Sequence, residues 1–137
     1  MADNRVNLIC VPPDRLKQVW PKVSGLIHIA MKRGGLGSFA SVQDDVLNGD
    51  ALLWVGFDGA EVNGACVSQI TQTEWRKVCT IIACSGTDMN RWIGLIEQIE
   101  GYARGEGCSA MRIIGRLGWQ AVLTSYRPHR VVLQKDL

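Results

Sequence analysis

The side chains in this sequence best suited to nucleophilic or metal chemistry are its five cysteines, Cys10, Cys66, Cys79, Cys84 and Cys108. Their number is odd, none belongs to a C-x-x-C pair, and no histidine stands beside them at ligand spacing. This pattern argues against a zinc site. Four of them lie in or beside apolar runs, where a reduced cysteine packs as a small hydrophobic residue. We interpret them as unpaired core thiols of a protein in a reducing compartment.

Few other side chains are placed for catalysis. Cys84 and Ser85 would need an adjacent base to act as nucleophiles, and no histidine is near them in the sequence. His28 lies between Ile27 and Ile29 in an apolar helical pattern. That position favours a structural histidine over a metal ligand.

Basic residues gather toward the C-terminus, and they are Arg112, Arg116, Arg127, His129 and Arg130. Such a group could contact phosphates of a cofactor or of a nucleic acid, or it could be a solvated basic surface. The net charge of only +2 favours the surface. Nucleic acid is therefore not the expected partner.

Length and composition indicate one domain spanning residues 1–137. A chain of 137 residues with 47% hydrophobic content can bury a substantial core. No apolar run approaches the roughly 20 residues that span a bilayer, and "MADNRVNLIC" lacks the apolar stretch of a secretory signal. We therefore expect a cytoplasmic protein with no membrane partner.

The N-terminal part predicts one strand and two helices. "VNLICV" (Val6–Val11) is typical of a short strand, and Asp14 is the predicted N-cap of a long helix that Pro21 should kink or split. "SVQDDVLNGD" predicts a second, brief helix that is capped by Ser41 and ended by Gly49.

Three strands should follow. "ALLWVGF" (Ala51–Phe57) and "VNGACVSQITQT" (Val62–Thr73) flank Asp58 and Gly59, a dipeptide that suits a hairpin turn. "KVCTIIACS" is almost continuously apolar from Val78 to Cys84, as expected of a central strand buried on both faces.

The C-terminal part predicts a crossover helix, a strand, a short helix and a closing strand. The helix carries an apolar stripe of Met89, Trp92, Ile96, Ile99 and Ala103. "SAMRIIG", "LGWQAVLTSY" and "RVVLQKDL" follow it. The order β-α-α-β-β-β-α-β-α-β predicts an α+β fold with about four helices and a mixed, mostly antiparallel sheet. Its fourth and fifth strands should be parallel, because a long helix connects them.

This order and two stretches of sequence resemble the GNAT acyltransferase superfamily over nearly the whole chain. The stretches are "GDALLWVGFDGAEVNGACVSQI", similar to the second and third strands of the family, and "YARGEGCSAMRIIGRLGWQAVLTSYR", similar to its C-terminal half. A "GR-x-GW" element at Gly115, Arg116, Gly118 and Trp119 resembles in particular short GNAT-like proteins encoded by phages and prophages.

The resemblance implies a coenzyme A site in the loop after the fourth strand. The family has an R/Q-x-x-G-x-G/A pattern there, which lets backbone amides at a helix N-terminus approach the pyrophosphate. The glycine positions fall on Asp88, Asn90 and Trp92, so the predicted loop is degenerate. It is either a helix cap with a core tryptophan, or a cofactor loop shifted by about two residues in which Arg91 and Gly94 approach the phosphates.

The resemblance also implies a catalytic base and contacts to acetyl-CoA. In the family a glutamate near the third or fourth strand commonly serves as the base, which corresponds here to Glu74 in the turn between those strands. A solvated turn carboxylate is the alternative. Tyr126 does not align with the family's acid tyrosine, whose place falls near Ala121. The predicted contacts to acetyl-CoA are Ala83, Cys84, Asn90, Arg91 and Gly94.

Two functions remain open at this point. The first is an acyl-CoA-dependent N-acyltransferase that acts on a small amine or a protein amine, with the pantetheine arm between the fourth and fifth strands. The second is a non-catalytic, GNAT-derived phage accessory, assembly or binding protein that has lost coenzyme A. Exposed strand edges and the five tryptophans are compatible with a homodimer.

Overall fold

A five-stranded mixed sheet is the frame of the computed structural model, which describes residues 7–34, 37–59, 61–86, 93–115 and 119–137. The strands, in their spatial order, are β1 (Asn7–Cys10), β2 (Leu52–Asp58), β3 (Glu61–Gln72), β4 (Lys77–Gly86) and β5 (Ala110–Ile113). The helices are α1 (Leu16–Gly34), α2 (Phe39–Asn48), α3 (Ile96–Gly105) and the short α4 (Trp119–Val122).

The pairing of the strands confirms the predicted fold class. Neighbours from β1 to β4 are antiparallel, and β4 and β5 are parallel from Val78↔Ala110 to Ile81↔Ile113. Helix α3 makes the connection that a parallel pair requires. The predicted hairpin is also present, since Gly59 adopts φ +62° between β2 and β3.

Helices cover both faces of the sheet, so the domain has two cores. Helices α1 and α2 lie on one face, where Val23 and Ile27 are fully buried. Helix α3 lies on the other face, where Ile99 packs with Cys79 and Ile81 of β4. Strand β4 is thus buried on both sides, which explains its almost continuous apolar sequence, although the middle strand of the sheet is β3.

The start of α1 differs from the prediction. Asp14 is not an N-cap, because it lies inside a 3-10 turn (Pro13–Arg15) that follows Pro12. Pro21 does not split the helix. A proline removes one amide donor, and here the carbonyl left without its helical partner belongs to Lys17, an exposed residue in the first turn that water can solvate.

Helix α2 begins three residues before the predicted position. Its N-cap is Ser38, whose Oγ accepts a hydrogen bond from the backbone N–H of Ser41 at 3.4 Å. The predicted cap, Ser41, is therefore the donor of that bond. The helix ends at Gly49 as predicted, with φ +84° at that glycine.

Replacing Ser38 and Ser41 by alanine, one at a time, should show which of them caps the helix. We expect Ser38→Ala to lower the free energy of unfolding by about 1 kcal/mol, because it removes the acceptor for an amide at the helix end. Ser41→Ala should change it by less than about 0.5 kcal/mol, because its side chain is exposed. Urea unfolding of both variants checks this, and equal losses would contradict the assignment of the cap.

The predicted closing strand at residues 130–137 is not formed. Residues 127–137 have no regular secondary structure, and Val131, Val132 and Leu133 are 71%, 65% and 90% exposed. Strand preference reflects packing on a pleated, half-buried surface more than backbone conformation. This apolar run has the composition of a strand but buries no face in the described structure.

Candidate functional site

A β-bulge in β4 lies at the point where β4 and β5 separate. The β3–β4 register passes from Ile81 to Ala83 and leaves Ile82 without a partner on β3. As a result, Ile82 and Ala83 both pack toward α1, and Cys84 packs on the α3 side. Bulges re-aim side chains in this way and are frequent beside functional sites.

The β4–β5 ladder stops just before this bulge. Its last described contact is the N–H of Ile114, which donates to the carbonyl of Ile81 at 3.1 Å. Strand β4 continues to Gly86 while β5 ends at Ile113. The edge of β4 that faces β5 therefore has no described strand partner over its last residues, and its N–H and C=O groups are available to another molecule.

A cleft of about 490 Å³ opens at this separation. Its size is within the usual range of small-molecule sites, and its walls are mainly apolar. The walls come from the end of β4, the C-terminal half of α1 and the residues that follow β5. They include Ala30, Met31 and Arg33 of α1, Ile82–Gly86 of β4, and Gly115, Trp119 and Val122.

Electrostatically, the described walls of the cleft are nearly neutral. Arg33 is the only charged side chain among them, and Cys84 and Ser85 contribute a thiol and a hydroxyl. Burial raises the pKa of the Cys84 thiol well above its ordinary value, so Cys84 is uncharged at neutral pH. The cleft thus suits an extended ligand with an apolar arm, and Arg33 can meet a negative group.

The predicted cofactor contacts are only partly brought together. Ala83 and Cys84 line the cleft. Gly94 does not, because it lies in a 3-10 turn (Ile93–Leu95) and borders a smaller cavity of about 190 Å³ on the α3 side. Asn90 and Arg91 lie outside the described residues, as do the other positions of the predicted pyrophosphate loop, Asp88 and Trp92.

The predicted base, Glu74, lies at the opposite end of the sheet. It is exposed in the turn between β3 and β4, and the stretch of β4 from Lys77 to Ile82, about 16 Å at the usual rise of a strand, separates the end of that turn from the first β4 residue that lines the cleft. The turn is fixed to the loop before β5, because Arg76 donates to Ser109 at 3.0 Å and 3.1 Å. The structure does not bring Glu74 to the cleft.

Tyr126 is also directed away from the cleft. Its hydroxyl donates to the carboxylate of Glu100 in α3, and both residues border the smaller cavity. Burial and the neighbouring carboxylate raise the pKa of Tyr126, which keeps the phenol protonated. This contact anchors the chain after α4 to α3.

The α1 wall and the residues after β5 were not among the predicted contacts. Ala30 and Met31 belong to a helical apolar pattern that only indicates a core face. Gly115 and Trp119 do belong to the "GR-x-GW" element, and a Cβ at Gly115 would lie 2.5 Å from Trp119 Cδ1. The close approach of this indole requires glycine at position 115. The "GR-x-GW" element therefore marks the cleft wall, although the sequence analysis used it only as evidence for the fold.

All five cysteines lie on the α3 side of the sheet. Burial, reinforced by Cys108, raises the pKa of Cys79 from 9.0 to about 11. A raised pKa means that the folded state holds the thiol proton more tightly than the unfolded chain does. This stabilisation is complete below pH 9 and is lost as the pH rises from 9 through about 11.

We therefore expect the free energy of unfolding to fall between pH 9 and 11, with Cys79 contributing up to about 2.5 kcal/mol of the decrease. Urea titrations across this range test it, with Cys79→Ala as the comparison. The variant should show a shallower decrease than the wild type. Parallel curves for the two proteins would be inconsistent with a buried, protonated Cys79.

The helices in the described part of the chain include none that is long and apolar enough to cross a membrane. No protein-family model matches the sequence, and a search of curated proteins finds no similar sequence.

Solved structures are similar to this chain over nearly its full length. An aminoglycoside acetyltransferase from an uncultured soil metagenomic sample, in complex with sisomicin, has a TM-score of 0.69 at 12% identity, covering 100% of this chain and 99% of that one. A predicted acetyltransferase from Clostridium acetobutylicum with acetyl-CoA has a TM-score of 0.65 at 8% identity, covering 96% and 95%.

A GNAT family acetyltransferase from Staphylococcus aureus has a TM-score of 0.64 at 10% identity, covering 97% of this chain and 99% of that one. At such low identity these matches establish the architecture, and the activity has to be inferred from the residues of the site. The chain has the fold of the GNAT acetyltransferases, with a cleft where β4 and β5 separate.

Proposed function

We propose that this protein is an acyl-CoA-dependent N-acyltransferase that binds the acyl-pantetheine arm in the cleft between β4 and β5. The observation that carries the proposal is the separation of the two strands after Ile81, which leaves an open, apolar cleft beside a strand edge that has no partner among the described residues. A solved neighbour of the same fold contains acetyl-CoA, which supports this choice of ligand.

The strand edge suits a pantetheine arm. That arm is an extended chain with two amides, and an extended chain with amides can add to a sheet edge through main-chain hydrogen bonds. The last residues of β4, Ala83 to Gly86, would supply donors and acceptors to it. Apolar side chains of Met31 and Ile82 would cover its methylene groups.

The same stretch can assist acyl transfer. When an amine attacks the thioester carbonyl, negative charge develops on the carbonyl oxygen, and backbone N–H groups aimed at that oxygen stabilise it. The N–H groups of β4 that point toward β5 are fixed by the sheet before the ligand arrives, so they need little reorganisation. The carbon–sulfur bond then breaks, and the amine proton must leave as the thiolate is protonated.

Proton transfer in this proposal does not use Glu74. The end of the turn that contains it lies about 16 Å along β4 from Ile82, the first β4 residue of the cleft wall. The described walls of the cleft contain no carboxylate and no imidazole. The amine would therefore react in its neutral form and lose its proton to water, because the cleft is open to solvent.

The acceptor we propose is a small amine or a protein amine. One solved neighbour is an aminoglycoside acetyltransferase in complex with sisomicin, so amine-rich sugars belong in a first screen of acceptors.

A second candidate function follows from the lack of a catalytic base in the described walls of the cleft. A cleft whose described walls lack a carboxylate and an imidazole also fits a GNAT-derived binding or assembly protein, of the phage-encoded kind that the sequence resembles. Such a protein would keep the fold without catalysis, and the predicted degenerate loop would have lost coenzyme A.

Calorimetric titration with acetyl-CoA and with free coenzyme A, at low and moderate salt, tests the proposal. We expect binding in the micromolar range, about 8 kcal/mol, and release of free thiol when an acceptor amine is added. Absence of heat and of thermal stabilisation at millimolar ligand would refute the acyltransferase and support the binding protein. Binding without thiol release across the amine panel would show that the protein binds the cofactor but does not catalyse acyl transfer.

A further inference from the structure

Two cysteines on neighbouring strands are placed as a reactive pair. Cys66 of β3 and Cys84 of β4 are directly opposite each other in the antiparallel register. The Cys66 thiol donates to Cys84 Sγ, and the two sulfur atoms are 2.6 Å apart. A disulfide bond is about 2.05 Å long and joins residues whose Cα atoms are about 4.4–6.8 Å apart, the range of facing residues in a sheet.

We propose that Cys66 and Cys84 form a thiol pair that a peroxide oxidises to an intramolecular disulfide, which joins β3 to β4 at the wall of the cleft. The proposal concerns the two thiols alone and does not depend on the proposed acyl transfer.

Two competing pairs, Cys10 with Cys66 and Cys79 with Cys84, are too far apart to form a disulfide. Cys10 and Cys66 both face Trp54, from opposite sides, and are therefore separated by two strand spacings, roughly 10 Å. Cys79 lies on the same strand as Cys84, five residues away, or about 16 Å. Both distances exceed the about 7 Å that a disulfide tolerates between Cα atoms.

Access to solvent decides which sulfur reacts first. Cys66 is 1% exposed, whereas Cys84 lines the cleft. A peroxide entering the cleft therefore meets Cys84. Burial raises the pKa of that thiol, so little thiolate is present at neutral pH and the first step should be slow.

The oxidation proceeds in two steps, and each step is balanced. In the first, Cys84 Sγ attacks hydrogen peroxide, the O–O bond breaks, and Cys84 becomes a sulfenic acid as one water leaves. In the second, Cys66 Sγ attacks Cys84 Sγ, the S–O bond breaks, and a second water leaves with the thiol proton. In total, two thiols are oxidised and one peroxide is reduced to two waters.

Thiol counting on the full chain tests this proposal. The reduced protein has five thiols, and after peroxide treatment, denaturation and reaction with N-ethylmaleimide the intact mass should show three labelled cysteines, which is five less two. Dithiothreitol should restore all five. Peptide mapping of the oxidised wild type should identify the Cys66–Cys84 link, and its Tm should rise by roughly 10 °C.

Serine variants provide the controls. Cys66→Ser and Cys84→Ser should each prevent the link, whereas Cys79→Ser, a buried cysteine on the same strand as Cys84, should retain it. Five labelled cysteines after oxidation, or a link between any other pair, would overturn the proposal. The wild-type peptide map decides the question even if a variant fails to fold.

Discussion

Replacing Ala30 by tryptophan is expected to weaken acetyl-CoA binding by at least about 100-fold. Ala30 projects from α1 into the cleft and is only partly buried, so an added indole would occupy the space proposed for the pantetheine arm. Calorimetric titration of the variant measures the loss. Because the cleft is open, the larger side chain should not greatly destabilise the fold.

The matched control is Gln18→Trp. This residue lies on the same helix with its side chain exposed, away from the cleft. The variant should bind acetyl-CoA as the wild type does, with a similar Tm. Equal affinity in Ala30→Trp and the wild type would show that the ligand binds elsewhere.

The largest loss of stability is expected for Trp54→Ala, at about 3–5 kcal/mol. Trp54 is 6% exposed in β2, its Nε1 donates to Ser68 Oγ at 2.9 Å, and its ring meets Tyr102 edge-on at 5.6 Å. Removing the indole leaves a cavity between the sheet and α3. It also removes the donor to the hydroxyl of Ser68, which is 1% exposed.

Trp75→Ala is the control for this loss. Trp75 is 85% exposed in the β3–β4 turn, so its removal should change the free energy of unfolding by less than about 0.5 kcal/mol. Urea unfolding followed by circular dichroism measures both variants. Similar losses for the two tryptophans would contradict the packing of Trp54 under α3.

The topology was predictable because it follows from connection lengths. A ten-residue helix between β4 and β5 leaves room for a parallel crossover, and the tight turn at Gly59 fixes an antiparallel hairpin. The apolar helical pattern around Ile27 likewise indicated a helix with a buried side, and Ile27 is fully buried in α1.

The predictions that were wrong concern features that depend on tertiary contacts. Ser38 and Ser41 are both good caps by type, and only the backbone geometry before α2 selects Ser38. The run at Val131–Leu133 has the composition of a strand, but strand composition does not supply a partner edge.

The candidate site was harder to predict than the fold. Ala83 and Cys84, which the family resemblance implied as contacts to acetyl-CoA, do line the cleft. Glu74 was carried over from the family resemblance, although an antiparallel β3–β4 hairpin puts its turn at the opposite end of β4. The wall formed by Ala30 and Met31 depends on how α1 crosses the sheet, and no local pattern encodes that.

The most direct test of the central claim is to map acetyl-CoA binding by two-dimensional NMR of the ¹⁵N-labelled protein. Binding in the cleft predicts amide shift changes at Ile82–Gly86 and at Ile114 and Gly115, with the turn at Thr73–Arg76 unchanged. Changes confined to that turn, or no changes at millimolar ligand, would contradict a coenzyme A site between β4 and β5.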